Sequence, residues 1–395
     1  MRALLILVVV TSGFPALADY AQPGTLAVTK SAGSVTVAGA NFALDAYLPN
    51  TGGPWPVIAL GHGFSNSKDN MQALAQLLAT RGNVVVVPQF PVGSSDHARN
   101  GQALLAAIDW AIGNAAFAGK VDASRQGVAG HSAGGLASFL AAASRPSLRA
   151  VVLLDAVDSN NLGQPQVGNV KMPVLLTFAE PATCNANTNT TAWWAGLTGT
   201  RGQLKVVGAG HCDAQDPPNS VFCTLPCGAV NAARQTLFKR YAVAWLQYFV
   251  SCELAARDAV DGAQTMADTT AGGLSGVQHV GVPAAPCAVP DGGVVDAGLP
   301  DAGGVVDGGL ADAGAVDAGA IDSGVADAGT TDGGSGGGSG DGGPVDAGST
   351  DAGTADGGTG GELNPPRGCG CSSGGFSPVM LFGVLAILAR RRRGR

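Results

Sequence analysis

Residues 250–375 contain no Phe, Trp or Tyr, and no Lys or Arg lies between Arg257 and Arg367. A stretch so poor in large apolar side chains buries too little surface to offset the entropy of ordering its backbone, so a packed core is expected only before it. Other absences narrow the function. No basic stripe is present, which argues against a nucleic-acid partner. No glycine-rich phosphate loop or dinucleotide fingerprint occurs, so no cofactor is implied. Histidine is scarce as well: the 395 residues contain five, four of them (His62, His97, His131 and His211) before residue 258. Any imidazole-dependent chemistry therefore has few candidates.

What is present divides the chain into parts. Residues 19–257 hold nearly all the aromatics and carry 15 Lys and Arg against 12 Asp and Glu, a net charge near +3. The overall −7 comes from acidic residues between Asp258 and Glu362. A region of this size can bury a large core. The N-terminal "MRALLILVVVTSGFPALA" has one Arg, an apolar run and a small-x-small ending, which reads as a signal peptide over residues 1–18. A short N-terminal membrane anchor is the alternative. No cysteine follows the expected cleavage point, so lipoprotein processing is not expected, and export makes disulfides permissible for the eight cysteines.

From Asp291 a loose pentad recurs ("DAGLP", "DAGAV", "DAGAI", "DSGVA"), with thirteen Asp between Asp291 and Asp356. Dense glycine with uniform negative charge describes an extended, solvated tether over residues 258–366. Calcium binding is the competing reading, but the spacing fits neither the EF-hand loop nor the Gly-rich nonapeptide repeat. The last segment, 367–395, joins Cys369 and Cys371 to an apolar stretch over 376–389 and an Arg cluster. That combination resembles the myxobacterial type of tripartite C-terminal sorting signal, whose short helix is a retention signal cleaved near the cysteine. An ordinary tail anchor is the alternative. Either places the preceding region outside the inner membrane, on a cell surface or outer membrane, with sorting machinery or a membrane as partner.

Within residues 19–257, short apolar runs alternate with helical spacings. Residues 57–60, 84–87, 126–129, 150–154, 173–178 and 204–207 read as strands, and 34–38 with 41–48 as an opening hairpin. Met71, Leu74, Ala75 and Leu78 mark one helix; Leu104, Leu105, Ile108 and Ile112 mark another. This series predicts an α/β fold with a mostly parallel sheet and helices on both faces. Gly130-His131-Ser132-Ala133-Gly134 falls between one strand and an alanine-rich helix. It fits G-x-S-x-G, the strained strand-to-helix turn that presents a serine at the sheet edge in α/β-hydrolases. The turn demands small neighbours two residues either side, and Gly130 and Gly134 supply them.

A serine nucleophile needs a base, an orienting acid and oxyanion donors. His211 follows the last strand in "VVGAGHCD", where this fold supplies its base; His131 sits inside the turn and points away from Oγ. For the acid, Asp155 is the first polar residue after an apolar run, and Asp158 lies three further on. Glu180 ends "PVLLTFAE", the strand this fold more often uses. Asp155 ranks first and Glu180 second. One oxyanion donor is the N–H of Ala133. The second is the N–H of Phe64 in "GHGF", where Gly63 lets the chain bend and the Phe64 ring walls an acyl pocket unless it packs in the core.

"ALGHGFSNSKDNMQALAQLLATRGNVVVVPQFP", "VAGHSAGG" and "LLDAVD" together resemble the chlorophyllase branch of the α/β-hydrolases, close to bacterial cutinase-like polyester hydrolases and dienelactone hydrolases. The resemblance covers about residues 40–250 and implies an α/β-hydrolase fold cleaving carboxylic esters. The chlorophyllase pattern maps its acid onto Asp155, whereas the polyester-hydrolase pattern places it after the seventh strand, where this chain has no Asp. Plant chlorophyllases carry Arg where this chain has Ala133, so a chlorophyll substrate does not follow. In the polyester hydrolases a disulfide can link the acid and histidine loops, which implies Cys184–Cys212 here. Cys223 and Cys227 could then bridge locally, and Cys252 with Cys287 would pin the start of the tether. A zinc site from Cys212, Cys223, Cys227 and His211 is the competing arrangement. Only 16 residues separate Asp155 from Met172, too few for a cap domain, so an open site suited to small, lipid or polymeric esters is expected in a monomer. The alternative is a hydrolase fold kept as a catalytically inactive surface adhesin or scaffold.

Overall fold

Residues Val84–Pro88 read V-V-V-V-P and are buried throughout, as a parallel strand covered on both faces must be. Strands of this kind build the centre of the sheet in the computed structural model, which describes residues 18–218 and 227–287. Among those residues the strands are β1 (Val28–Val37), β2 (Ala40–Pro49), β3 (Trp55–Gly61), β4 (Val84–Pro88), β5 (Val121–His131), β6 (Ala150–Leu154), β7 (Val174–Phe178), β8 (Arg201–Val206) and β9 (Leu274–Val280). They form one sheet in the order β1-β2-β4-β3-β5-β6-β7-β8-β9. Pairing is parallel from β4 to β8 and antiparallel at both margins. The opening hairpin turns on Ala38 and Gly39, with φ of 47° and 76°, the left-handed pair that matches strand twist in a two-residue connection.

Four helices cover the parallel core: α1 (Gln72–Thr80), α2 (His97–Gly113), α3 (Ala133–Ser144) and α4 (Ala232–Phe249). Leu74, Leu78, Tyr241 and Leu246 of α1 and α4 pack with Ile58, Leu60, Val85 and Leu204 on one face. Leu104, Ile108, Leu136 and Phe139 of α2 and α3 pack with Val57, Val86, Val128 and Leu153 on the other. Together these make the two-faced α/β-hydrolase architecture. The chain runs from β3 out to β4 and returns to β5 on the opposite side of β3. The carboxyl ends of β3 and β5 therefore flank a topological switch point, where loops diverge and leave a crevice. The β6–β7 connection holds only two 3-10 turns, Ser159–Asn161 and Gln164–Asn169, so no cap domain is inserted there.

The globular fold does not stop at residue 257. Two short helices, α5 (Arg257–Val260) and α6 (Ala263–Thr270), precede β9, which pairs antiparallel with β8. The expected tether boundary at 258 is therefore not observed: residues 258–287 belong to the described fold. The absence of aromatics misled because this segment supplies only small apolar contacts. Ala256, Ala259, Val260 and Leu274 are buried in a core to which α4 contributes large side chains, Tyr241, Trp245 and Tyr248 among them. Cys252 and Cys287 are disulfide-bonded. The segments expected to be a signal peptide (1–18), an Asp-rich tether and a sorting signal or tail anchor lie, Ala18 apart, outside the described residues, before 18 or from 288 on. Among the described residues no helix is long and apolar enough to cross a membrane.

Candidate active site

Ser132 joins the end of β5 to the start of α3 with φ 56° and ψ −121°, a conformation that costs of order 1–3 kcal/mol for a non-glycine residue. The neighbouring glycines make the turn possible. A Cβ on Gly134 would collide with the carbonyls of Gly61 and His62, and one on Gly130 with Gly134. The first turn of α3 thus lies directly against the end of β3. Ser132 is 8% exposed, and its N–H is held by the carbonyl of Leu154 at 3.0 Å.

His211 sits in a 3-10 turn (His211–Ala214) beyond β8. Its Nε2 is 2.9 Å from Ser132 Oγ and its Nδ1 is 2.6 Å from Asp155 Oδ2. A carboxylate only accepts, so Nδ1 carries the proton and Nε2 is left to accept from the serine hydroxyl. Asp155 is fully buried and held at φ 43°. It accepts two further hydrogen bonds, from the Ala179 N–H at 3.0 Å and Asn185 Nδ2 at 3.1 Å. These bonds compensate a charge that would otherwise be costly to bury. Asn185 also donates to the Glu180 carbonyl and accepts from the Ala182 N–H. Nothing in the sequence spacing marks this asparagine.

Glu180 lies elsewhere. Its carboxylate binds Lys205 Nζ at 2.8 Å and the Gly208 N–H at 2.9 Å, and these partners hold its pKa below the ordinary carboxylate range. Asp158 accepts from the Gly163 and Gln164 N–H groups and Trp193 Nε1, which braces the loop after β6. Of the candidate carboxylates, Asp155 is the one brought to His211.

The "GHGF" loop follows β3. Phe64 is 54% exposed, which excludes core packing for its ring. Gly63 has an ordinary φ; its requirement is space, because a Cβ there would crowd Asn66 Nδ2 and His131 Nδ1. His62 anchors the loop. Its Nε2 accepts from the Phe90 N–H at 2.9 Å, and Nδ1 faces the Gly63 carbonyl at 2.9 Å. Burial holds this neutral imidazole at a pKa of about 4. Asn66 donates to Gln215 Oε1 at 3.2 Å, tying the loop to the chain beyond His211.

The disulfide pattern corrects one expectation. Cys184 pairs with Cys227, not with Cys212, and Cys227 is thereby unavailable to Cys223. Cys212 is itself disulfide-bonded. Cys227 lies beside the His211 turn, its carbonyl against Gly210. The same bonds leave Cys212 and Cys227 unavailable to the zinc arrangement, and its Cys223 lies outside the described residues.

Residues 20–255 match the PET hydrolase-like family. The chain belongs to that family. Its relatives are distant. A bis(hydroxyethyl) terephthalate hydrolase of Streptomyces coelicolor is 27% identical over 201 residues, 50% of this chain and 58% of the relative. Cutinase 2 of Thermobifida cellulosilytica is 25% identical over 209 residues, 52% of this chain and 72% of the relative. Cutinase cut1 of Thermobifida fusca is also 25% identical over 209 residues, covering 59% of its length. This member of the PET hydrolase-like family thus spans little more than half of the first relative's length. Its α5, α6 and β9 lie beyond the matched residues.

Proposed function

We propose that this chain is an exported, cofactor-free serine hydrolase that cleaves carboxylic esters through an acyl-enzyme. The observation that carries the reading is the line Ser132 Oγ–His211 Nε2, 2.9 Å, and His211 Nδ1–Asp155, 2.6 Å. Ser132 Oγ attacks the acyl carbon while its proton passes to His211 Nε2. The oxygen of the tetrahedral intermediate is met by the N–H groups of Ala133 and Phe64. Ala133 opens α3, where the first N–H groups of a helix have no carbonyl behind them in the helix. His211 then protonates the leaving alcohol. In the second half, water attacks the acyl-enzyme with His211 as base, and the acid is released with Ser132 restored. Asp155 holds the tautomer and stabilises the imidazolium throughout.

The short β6–β7 connection supports an open crevice, which suits bulky or polymeric esters, and the names of the relatives point the same way. The reading of the fold as an inactive scaffold draws on the long tether and an uncertain acid; on the second point, Asp155 against His211 supports the active reading. The purified protein is expected to hydrolyse short p-nitrophenyl esters and to label with a fluorophosphonate probe, with both lost in Ser132→Ala. Turnover surviving in that variant would sink the assignment. A screen of short-chain, long-chain and polyester substrates then fixes the ester class.

A further inference from the structure

His131 immediately precedes Ser132 and is 1% exposed, yet it takes no part in the Ser132–His211–Asp155 line. Its Nε2 lies 2.9 Å from the main-chain carbonyl oxygen of His211. A carbonyl only accepts, so the proton sits on Nε2 and the ring donates. The same ring packs against the His211 imidazole, with centroids 4.5 Å apart at 42°. Its other nitrogen, Nδ1, is buried with no hydrogen-bond partner. A second proton would put a charged, unpaired N–H there, and burial accordingly holds the ring's pKa well below its ordinary value. His131 is thus a permanently neutral donor.

We infer that His131 is a positioning residue for the base: its Nε2–H fixes the main chain of His211 and its ring backs the imidazole. The inference rests on the serine-hydrolase reading. His211 sits on a turn beyond β8, approached through Gly208 at φ 68°, and such connections are the mobile parts of a fold. β5, by contrast, is paired on both sides, with β3 and β6. Placing the donor at the end of β5 ties the base to the strand that also carries the nucleophile. The last residue of β5 and the turn residue next to it then set both ends of the Ser132–His211 hydrogen bond. Displacement of about 1 Å at such a contact can cost ~100-fold in rate. Neutrality matters as well, because a charged His131 would repel the imidazolium that His211 becomes during turnover.

The test uses the full chain and three variants, each checked for folding by thermal melting. His131→Phe keeps an aromatic ring and deletes the donor; His131→Gln keeps an N–H at similar reach; His131→Asn keeps one too short to arrive. With a p-nitrophenyl ester, kcat is expected to fall about 100-fold in His131→Phe while KM stays within about threefold. His131→Gln is expected to recover most of the loss, and His131→Asn is not. A folded His131→Phe with wild-type kcat, or a loss confined to KM, overturns the inference. If His131→Phe does not fold, equal activity in His131→Gln and His131→Asn overturns it. Ser132→Ala separates this from the underlying reading. If the unmodified protein is inactive, or the serine variant retains turnover, both ideas fall together. If the serine is essential and the His131 variants behave as wild type, only the positioning role falls.

Discussion

Ser132 and Asp155 are both non-glycine residues held at positive φ, 56° and 43°, and both stand against the same imidazole. Strain of this kind persists only where the surroundings over-determine it, and here the Leu154 carbonyl, the Ala179 N–H and Asn185 do so. The two candidate acids can be told apart at this scale. Asp155→Asn is expected to lower kcat by ~10⁴, because the orienting carboxylate sets the histidine tautomer. Glu180→Gln disturbs a half-exposed ion pair with Lys205 and is expected to leave kcat within about threefold, exposed pairs being weak. Steady-state kinetics on both variants decide the matter, and a crippled Glu180→Gln beside an active Asp155→Asn would reverse the assignment. His62 gives a pH prediction. Its imidazole titrates near 6.5 when exposed and at about 4 here, so the unfolded chain binds the extra proton first. Stability is full above pH 6.5 and is lost as pH falls towards 4, by up to ~1.4 kcal/mol per unit for this residue. Denaturant melts of wild type and His62→Gln at pH 7 and pH 5 should show the shallower pH dependence in the variant.

Among the elements, the central strands and α1, α2 and α3 follow from the order of apolar runs and helical spacings, because buried parallel strands must be apolar and their crossover helices amphipathic. Ser132, His211 and the ranking of Asp155 above Glu180 were legible because the turn and the strand ends fix where polar residues emerge. Cysteine pairing was not, since it depends on which loops cross in space. The two described disulfides should behave differently. Cys184–Cys227 joins the loop carrying Asn185, which holds Asp155, to the chain that crosses the His211 turn. Its double Ser variant is expected to lose both stability, by ~2–4 kcal/mol, and kcat. Cys252–Cys287 lies beside Arg149, just before β6, at the end of the sheet opposite Ser132. Its double Ser variant is expected to melt earlier with kcat unchanged. Thermal melts paired with kinetics check both, and a kcat loss in the second variant would contradict this placement.

At the scale of the whole molecule, β9 closes one margin of the sheet and α5 and α6 finish the core over α4. A chain ending at residue 257 would leave β8 as an open edge, expose Trp245 and lose the Cys252–Cys287 bond, all of which favour aggregation. It is expected to melt at least about 5 °C below a chain ending at 287. Calorimetry on the two chains tests this, and equal melting would mean that residues 258–287 add nothing to the fold.

The sequence by itself determined the α/β class, the serine turn and the candidate base, because each follows from local periodicity or from a spacing that sterics enforce. It also limited the acid to a few strand-end carboxylates. Only the tertiary structure decided that Asp155 reaches His211, that Cys184 bonds Cys227, that His131 holds the His211 main chain, and that residues 258–287 belong to the fold. Each of those depends on contacts between distant segments. Their large partners, such as Trp245 and Tyr248 beneath the C-terminal addition, lie elsewhere in the chain and leave no mark in the local pattern.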